Sequence, residues 1–532
     1  EEFRRRHMRI GVPLYDAERI ICMPGETERI TRQDPESTDR LLAQRVKREY
    51  ALTQVFSENV VDAHVFGDIH LGGLGYIDRL HEFSANLEVL ARYGAGLPGA
   101  RATYAPPQDL ETFLVQLGRF RTQVDAHFAG PVTWELPHVH LSPFLDGADE
   151  ETTRRAAHIL LFVLGTDASE RAAKPEITLS WGVPSGIARR RAAGPPAHVG
   201  GNTYGDYEMT AKRFLDHVLA VYLQSQARSL PLLRFVVTPT FFSQEGYQDV
   251  LVRVAETAIA HGLLEIAFDR SRDGAPGYTA PYRGTVAQVV NLNLPRMAFR
   301  SPDEGALMEN LATMVDLAAQ AHQEKSAFLE RLAALRALGP HVFLDETPAR
   351  PALADLSKAA YVIAVDGLNE CVETLCGNGL AESDPARVLA LRILARLVEL
   401  CHTAQERIGL RIIPAQARYE SSIRRFAALD LRPFPEKARR VAKSDPITQD
   451  IHYTVGARLA RMASWTPSER ATLEGAMHEL IPHGALTRIS LPDMETSPEA
   501  LAAFIETAYY RSQVVHMLLE RPGVSSGLLP HE

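Results

Sequence analysis

Two hydrophobic periods alternate along this chain. Leu41, Leu42, Val46 and Tyr50 fall at helical spacing, so Asp39 to Phe56 is expected to be a helix. Leu110–Phe128, Glu151–Gly165, Tyr207–Ser229 and Val250–His261 carry the same period. Between them lie short apolar runs at Glu176–Trp181, Leu232–Phe242, Leu263–Phe268, Ala359–Val365 and Leu410–Pro414, which read as buried strands. Start and stop signals agree with this segmentation. Ser301-Pro302-Asp303-Glu304 opens a helix to about Leu338, and Ser383-Asp384-Pro385 opens one that Gly409 ends at Ile408. Thr466-Pro467-Ser468-Glu469 and Thr496-Ser497-Pro498-Glu499 are two further helix starts. Ile187 to Tyr204, rich in Arg, Pro and Gly, reads as a loop in which Arg189, Arg190 and Arg191 could contact a phosphate, although a charge run is usually just solvated. Strands alternating with helices predict an α/β fold with parallel strands.

Composition narrows the class. The 532 residues are 45% hydrophobic and 23% charged, ordinary for a soluble globular protein. A net charge of −9 argues against a nucleic-acid polymer as partner. No uncharged apolar run approaches the roughly 18 residues of a membrane span, and Glu1 to Arg9 shows no signal peptide. The four cysteines, Cys22, Cys371, Cys376 and Cys401, form no CxxC pair, so no structural zinc module is expected and a cytoplasmic location is the default.

Two stretches carry candidate chemistry. Val61 to Tyr76 holds Gly67-Asp68-Ile69-His70 among four glycines; Asp68 and His70 form an acid–base or metal-ligand pair, or an ordinary turn with a surface histidine. In Trp134–Phe144, His138 and His140 would share a face if this is a strand, a spacing that suits one metal ion; the alternative is two satisfied histidines.

Several motifs resemble the oxygen-sensitive (class III) ribonucleotide reductases. Gly67-Asp68-Ile69-His70-Leu71-Gly72-Gly73-Leu74 is similar to their Gly-Asp-Ile-His-x-His-Asp-Leu, with Gly72 and Gly73 replacing the second His and Asp. Residues 35–64, His127-Phe128-Ala129-Gly130, Pro143-Phe144-Leu145, Asn291-Leu292-Asn293-Leu294-Pro295-Arg296, Gly367-Leu368-Asn369-Glu370, and Gln416 with Glu420-Ser421 follow in the family order. The resemblance implies the ten-stranded α/β barrel of the ribonucleotide reductase and glycyl radical enzyme type, built of two parallel half-barrels around a central finger loop, here Ser271 to Gly284. It implies a barrel domain at 39–510, after an extension at 1–38 and before a tail at 511–532. It also implies catalytic roles for Asp68, Asn293, Asn369, Glu370 and Glu420, and substrate contacts for Asn291, Gln416 and Ser421. A cytoplasmic homodimer acting on a nucleotide or other small polar substrate is the corresponding expectation.

Departures from the pattern shape the functional expectation. Ser271 to Gly284 contains no cysteine to become a thiyl radical, and a hydroxyl cannot replace it, because O–H bonds are much stronger than S–H bonds. The family's ATP cone and four-cysteine module are not seen, and Gly523 and Gly527 lack the radical-glycine context, so no glycyl radical is expected. Three readings follow. The first is a repurposed redox enzyme with one divalent metal, iron favoured and manganese or zinc as alternatives, held by His70, His138, His140 and Glu370. The second is a non-catalytic paralogue that binds nucleotide or pairs with an active reductase. The third is a radical enzyme served by a partner chain's glycyl radical, with Cys371 or Cys376 as thiol.

Overall fold

The fold is described from a computed structural model, over residues 35–95, 104–165, 175–195, 201–225, 230–270, 284–335, 356–418, 421–444, 451–460, 465–491 and 497–521. The strands are β1 (Ile69–Leu71), β2 (Glu82–Asn86), β3 (Val132–Glu135), β4 (Glu176–Ser180), β5 (Leu232–Val237), β6 (Leu263–Phe268), β7 (Thr285–Asn293), β8 (Ala360–Asp366), β9 (Arg411–Gln416), β10 (Lys443–Ser444), β11 (Ile451–His452), β12 (Thr487–Ser490) and β13 (His516–Glu520). One large sheet runs β12-β13-β6-β5-β4-β3-β2-β7-β8-β9, with β1 added to β7 and β10-β11 a separate pair. β2 to β6 are mutually parallel, as are β7 to β9. The blocks meet antiparallel at β2/β7 and β13/β6. Helices Leu110–Asp125, Glu150–Gly165, Glu208–Gln224, Tyr247–His261, Glu304–Ala334 and Asp384–Ile408 make the crossovers.

Side chains alternate along each strand. One face (Phe83, Trp134, Ile177, Phe235, Ile266, Val290, Ile363) packs with those helices in the main core. The other carries Glu82, Thr133, Glu176, Arg234, Glu265, Asn291 and Asp366, all buried. A buried polar face needs partners across the sheet. Arg418, just after β9, pairs with Glu265 on β6. These strands are far apart in the sheet order, so the polar face is concave. At the seam, the Gln416 N–H donates to the His483 carbonyl at 3.0 Å, drawing the β9 edge to the segment before β12. No ladder joins β9 to β12 among the described residues. This is a mixed α/β fold with a large, mostly parallel sheet.

Local differences from expectation have simple causes. The run Leu232–Phe242 is a strand only to Val237, because Pro239 has no N–H to continue a ladder. The sheet runs past residue 510: β13 lies between β12 and β6, so the expected tail contributes an inner strand. Most of the expected finger, 271–283, lies outside the described residues, as does Cys22. Gly67 (φ 92°) ends the helix Glu58–Phe66 in the left-handed region, where a Cβ is strained, and so turns the chain into β1.

Candidate active site

The family-like residues gather where β7, β8 and β9 end. Asn291 Nδ2 donates to Asp366 Oδ2 at 2.9 Å and to Ser422 Oγ at 3.0 Å. Ser422 donates to the same carboxylate at 2.6 Å, and the Gly456 N–H binds Asp366 Oδ1 at 3.0 Å. Burial pushes the Asp366 carboxyl above its usual range, against these hydrogen bonds. His70 pairs in register with Asn291, and its ring meets Phe426 edge-on. Asn293 caps the helix Leu294–Arg300 by accepting the Arg296 N–H, and donates to Gly67 O and Asp430 Oδ2. Asp430 also holds Arg296 Nε at 2.5 Å and the Tyr453 hydroxyl at 2.9 Å.

The remaining expected residues are held by structure as well. Glu370 accepts the Thr454 N–H at 3.1 Å and its hydroxyl at 2.6 Å, and burial raises its carboxyl. Asn369 accepts the Leu380 N–H at 3.0 Å. Asp68 is tied to Arg300 at 2.6 Å, with Arg296 at 3.7 Å. Gln416, 1% exposed, leaves its Oε1 without a donor. Segment 453–456 therefore bonds Glu370 among the nominated acids, together with Asp366 and Asp430. Glu420 and the side chain of Ser421 lie outside the described residues.

A second cluster lines the concave face. Arg234 binds Glu176 at 2.6 Å and Glu265 at 2.7 Å. Arg418 pairs with Glu265 and lies 3.7 Å from Glu176. His516 Nδ1 sits 2.8 Å from Glu265 and Thr133 donates to Glu176 at 3.1 Å. Burial alone would raise Glu265, but Arg234 and Arg418 outweigh it and hold the carboxyl well below its usual range. The two arginines balance Glu176 and Glu265. Glu82, on the adjoining β2, is a third acid that neither arginine bonds; His81 Nε2 lies 3.8 Å from it, and burial pushes it up to about 8.

The metal site expected from sequence is not assembled. Pro137 begins a short helix, Pro137–Leu141, after Leu136 turns through φ 46°, so His138 and His140 are helical rather than extended. Two positions along a helix rotate a side chain by about 200°, so the two rings diverge. His138 Nε2 bonds the Ser180 carbonyl at 2.9 Å, whereas the His140 ring lies edge-on to Tyr204 at 5.2 Å. Burial drives both rings down to about 3, so each is neutral. No three His, Cys, Asp or Glu side chains among the described residues form a metal-binding group, so His70, His138, His140 and Glu370 do not form the expected site.

Sequence reasoning passed over Arg234, Glu265, Arg418, Ser422, Asp430 and Tyr453. For two of them a signal existed. Leu-Leu-Arg-Phe-Val-Val and Leu-Leu-Glu-Ile-Ala-Phe place opposite charges at the same position of two buried strands, and Arg234 and Glu265 are register partners.

The model of the anaerobic ribonucleoside-triphosphate reductase family matches residues 26–522. The chain belongs to that family. No curated protein matches its sequence. Among solved structures, an anaerobic ribonucleotide reductase superposes with TM-score 0.78 at 15% identity, over 97% of this chain and 88% of the other. The anaerobic ribonucleotide reductase from Thermotoga maritima, in complex with dATP and CTP, gives TM-score 0.75 at 15% identity, over 96% and 91%. A glycyl radical enzyme from Archaeoglobus fulgidus gives 0.52 at 12% identity, over 78% and 63%. At such identities these likenesses establish the fold. No helix among the described residues is long and apolar enough to cross a membrane.

Proposed function

We propose that this reductase-family chain binds a nucleotide in its barrel but does not by itself carry out thiyl-radical reduction. The placement of the thiols carries this reading. Cys371 and Cys401 are fully buried in the apolar core, and Cys376 packs against that core. Burial pushes the Cys371 thiol up, and that of Cys401 to about 12. The loop that the family resemblance assigns to the thiyl radical, Ser271 to Gly284, has no cysteine. None of the three thiols thus supports the reading in which Cys371 or Cys376 relays a hydrogen atom. Nucleotide binding is supported by the polar lining around Asn291, Asp366 and Gln416, and by the family's dATP- and CTP-bound relative.

The test is anaerobic incubation with a reductase activase and ribonucleoside triphosphates, beside a thermal-shift titration with the same nucleotides. Saturable stabilisation without deoxynucleotide is expected. Deoxynucleotide formation, or the lack of any nucleotide-dependent stabilisation, would overturn the reading.

A further inference from the structure

A basic site outside both polar clusters has no anion to answer it. His64, on the helix Glu58–Phe66, is 1% exposed. Its Nδ1 accepts the Leu71 N–H at 3.2 Å, so the neutral ring carries its proton on Nε2. That nitrogen is buried and has no acceptor. Burial, then the Arg425 guanidinium, hold the ring well below its usual titration range.

Arg425, on the helix Ser421–Asp430, donates through Nη2 to the His64 carbonyl, while its Nη1 is buried without an acceptor. Two residues joined by one hydrogen bond thus each keep an open donor. The charges acting on Arg425 are those of Arg48 and Arg296, both positive, and with burial they lower its guanidinium to about 10. Arg296 is answered by Asp430 at 2.5 Å and Asp68 at 3.7 Å. Arg48 also acts on His64. The excess positive charge therefore belongs to Arg425 and Arg48.

Arg425 is half-buried among like charges, which an anion would offset, and a buried N–H normally has an acceptor. A water molecule would satisfy a donor but not the charge. We infer that the open donors Arg425 Nη1–H and His64 Nε2–H form a binding site for a phosphate-type oxyanion, whose several oxygens can take donors from two residues while Arg425 and the neighbouring charge of Arg48 offset its charge. The source is either free phosphate or the phosphate end of a nucleotide. The inference does not depend on nucleotide binding in the barrel, because its primary probe is inorganic phosphate.

The full-length chain is titrated with inorganic phosphate against chloride at matched ionic strength, followed by ³¹P line broadening and thermal shift. Saturable binding is expected, weakened about tenfold or more in Arg425→Gln and in Arg48→Gln. Arg396→Gln, which alters an exposed arginine paired with Glu399, should bind like the wild type. If Arg425→Gln does not fold, Arg48→Gln decides, since Arg48 is only partly buried. A ribonucleoside triphosphate that displaces phosphate identifies a nucleotide as the source; one that leaves it bound identifies the free ion, and either result sustains the site. No saturable phosphate binding, or unchanged binding in the folded variants, overturns it.

Discussion

Replacing Glu82 with Gln tests the charge count of the concave face. Arg234 and Arg418 are already matched to Glu176 and Glu265. Glu82 lies beside them, buried, with its carboxyl moved from an ordinary 4.5 to about 8. Burial is the main cause; Glu176 adds to it, while Arg418 and Arg234 oppose it. At about 1.4 kcal/mol per tenfold change in proton affinity, ionising Glu82 in the fold costs on the order of 5 kcal/mol more than in the unfolded chain. The sign follows from proton counting. Between pH 4.5 and about 8 the native state keeps a proton on Glu82 that the unfolded state has lost. The folded protein therefore loses stability through this group as pH rises across that window, and the loss is complete above it. Glu82→Gln keeps the shape and removes the titration. Denaturant unfolding of wild type and variant at pH 5, 6.5 and 8.5 measures the effect. The variant should gain on the wild type as pH rises, by several kcal/mol at pH 8.5 relative to pH 5. A difference that does not change with pH would refute both the protonated state of Glu82 and the charge count behind it.

Two further expectations concern the residues at the strand ends. Asp366→Ala removes the acceptor of Asn291, Ser422 and the Gly456 N–H in a buried setting, and should cost about 3 kcal/mol or more; a loss below about 1 kcal/mol in urea unfolding would contradict a structural role. The double variant His138→Ala, His140→Ala should be destabilised by about 2 kcal/mol or more through lost packing and the lost bond to Ser180. Its metal content, measured by elemental analysis beside the wild type, should not change; a fall in that content would restore the metal site this geometry fails to assemble.

Much of the fold was legible in the chain itself. The alternation of helical and strand periods, the Pro and Ser/Thr/Asp start signals and the glycine stops depend on neighbours a few residues away. Ser383 caps its helix as expected and Gly409 (φ 71°) ends it, while the helix expected to start at Ser301 with Pro302 inside it is capped at Asp303. The order of the family-like motifs was readable too, because short motifs keep their order whatever the tertiary contacts. The site was less legible. His138 and His140 have strand spacing in the sequence, but Pro137 and the left-handed turn at Leu136 make that stretch a helix, and the two rings part. Asp366 was not singled out, although it holds Asn291 and Ser422, because its partners come from β7 and from the chain after β9. Arg418 finds Glu265 across 153 residues of sequence, a pairing that exists only once the sheet curls and both lose water. Hydrophobic period is a local property and survives in a bare sequence; the partner of a buried charge is decided by which distant strands the fold brings face to face.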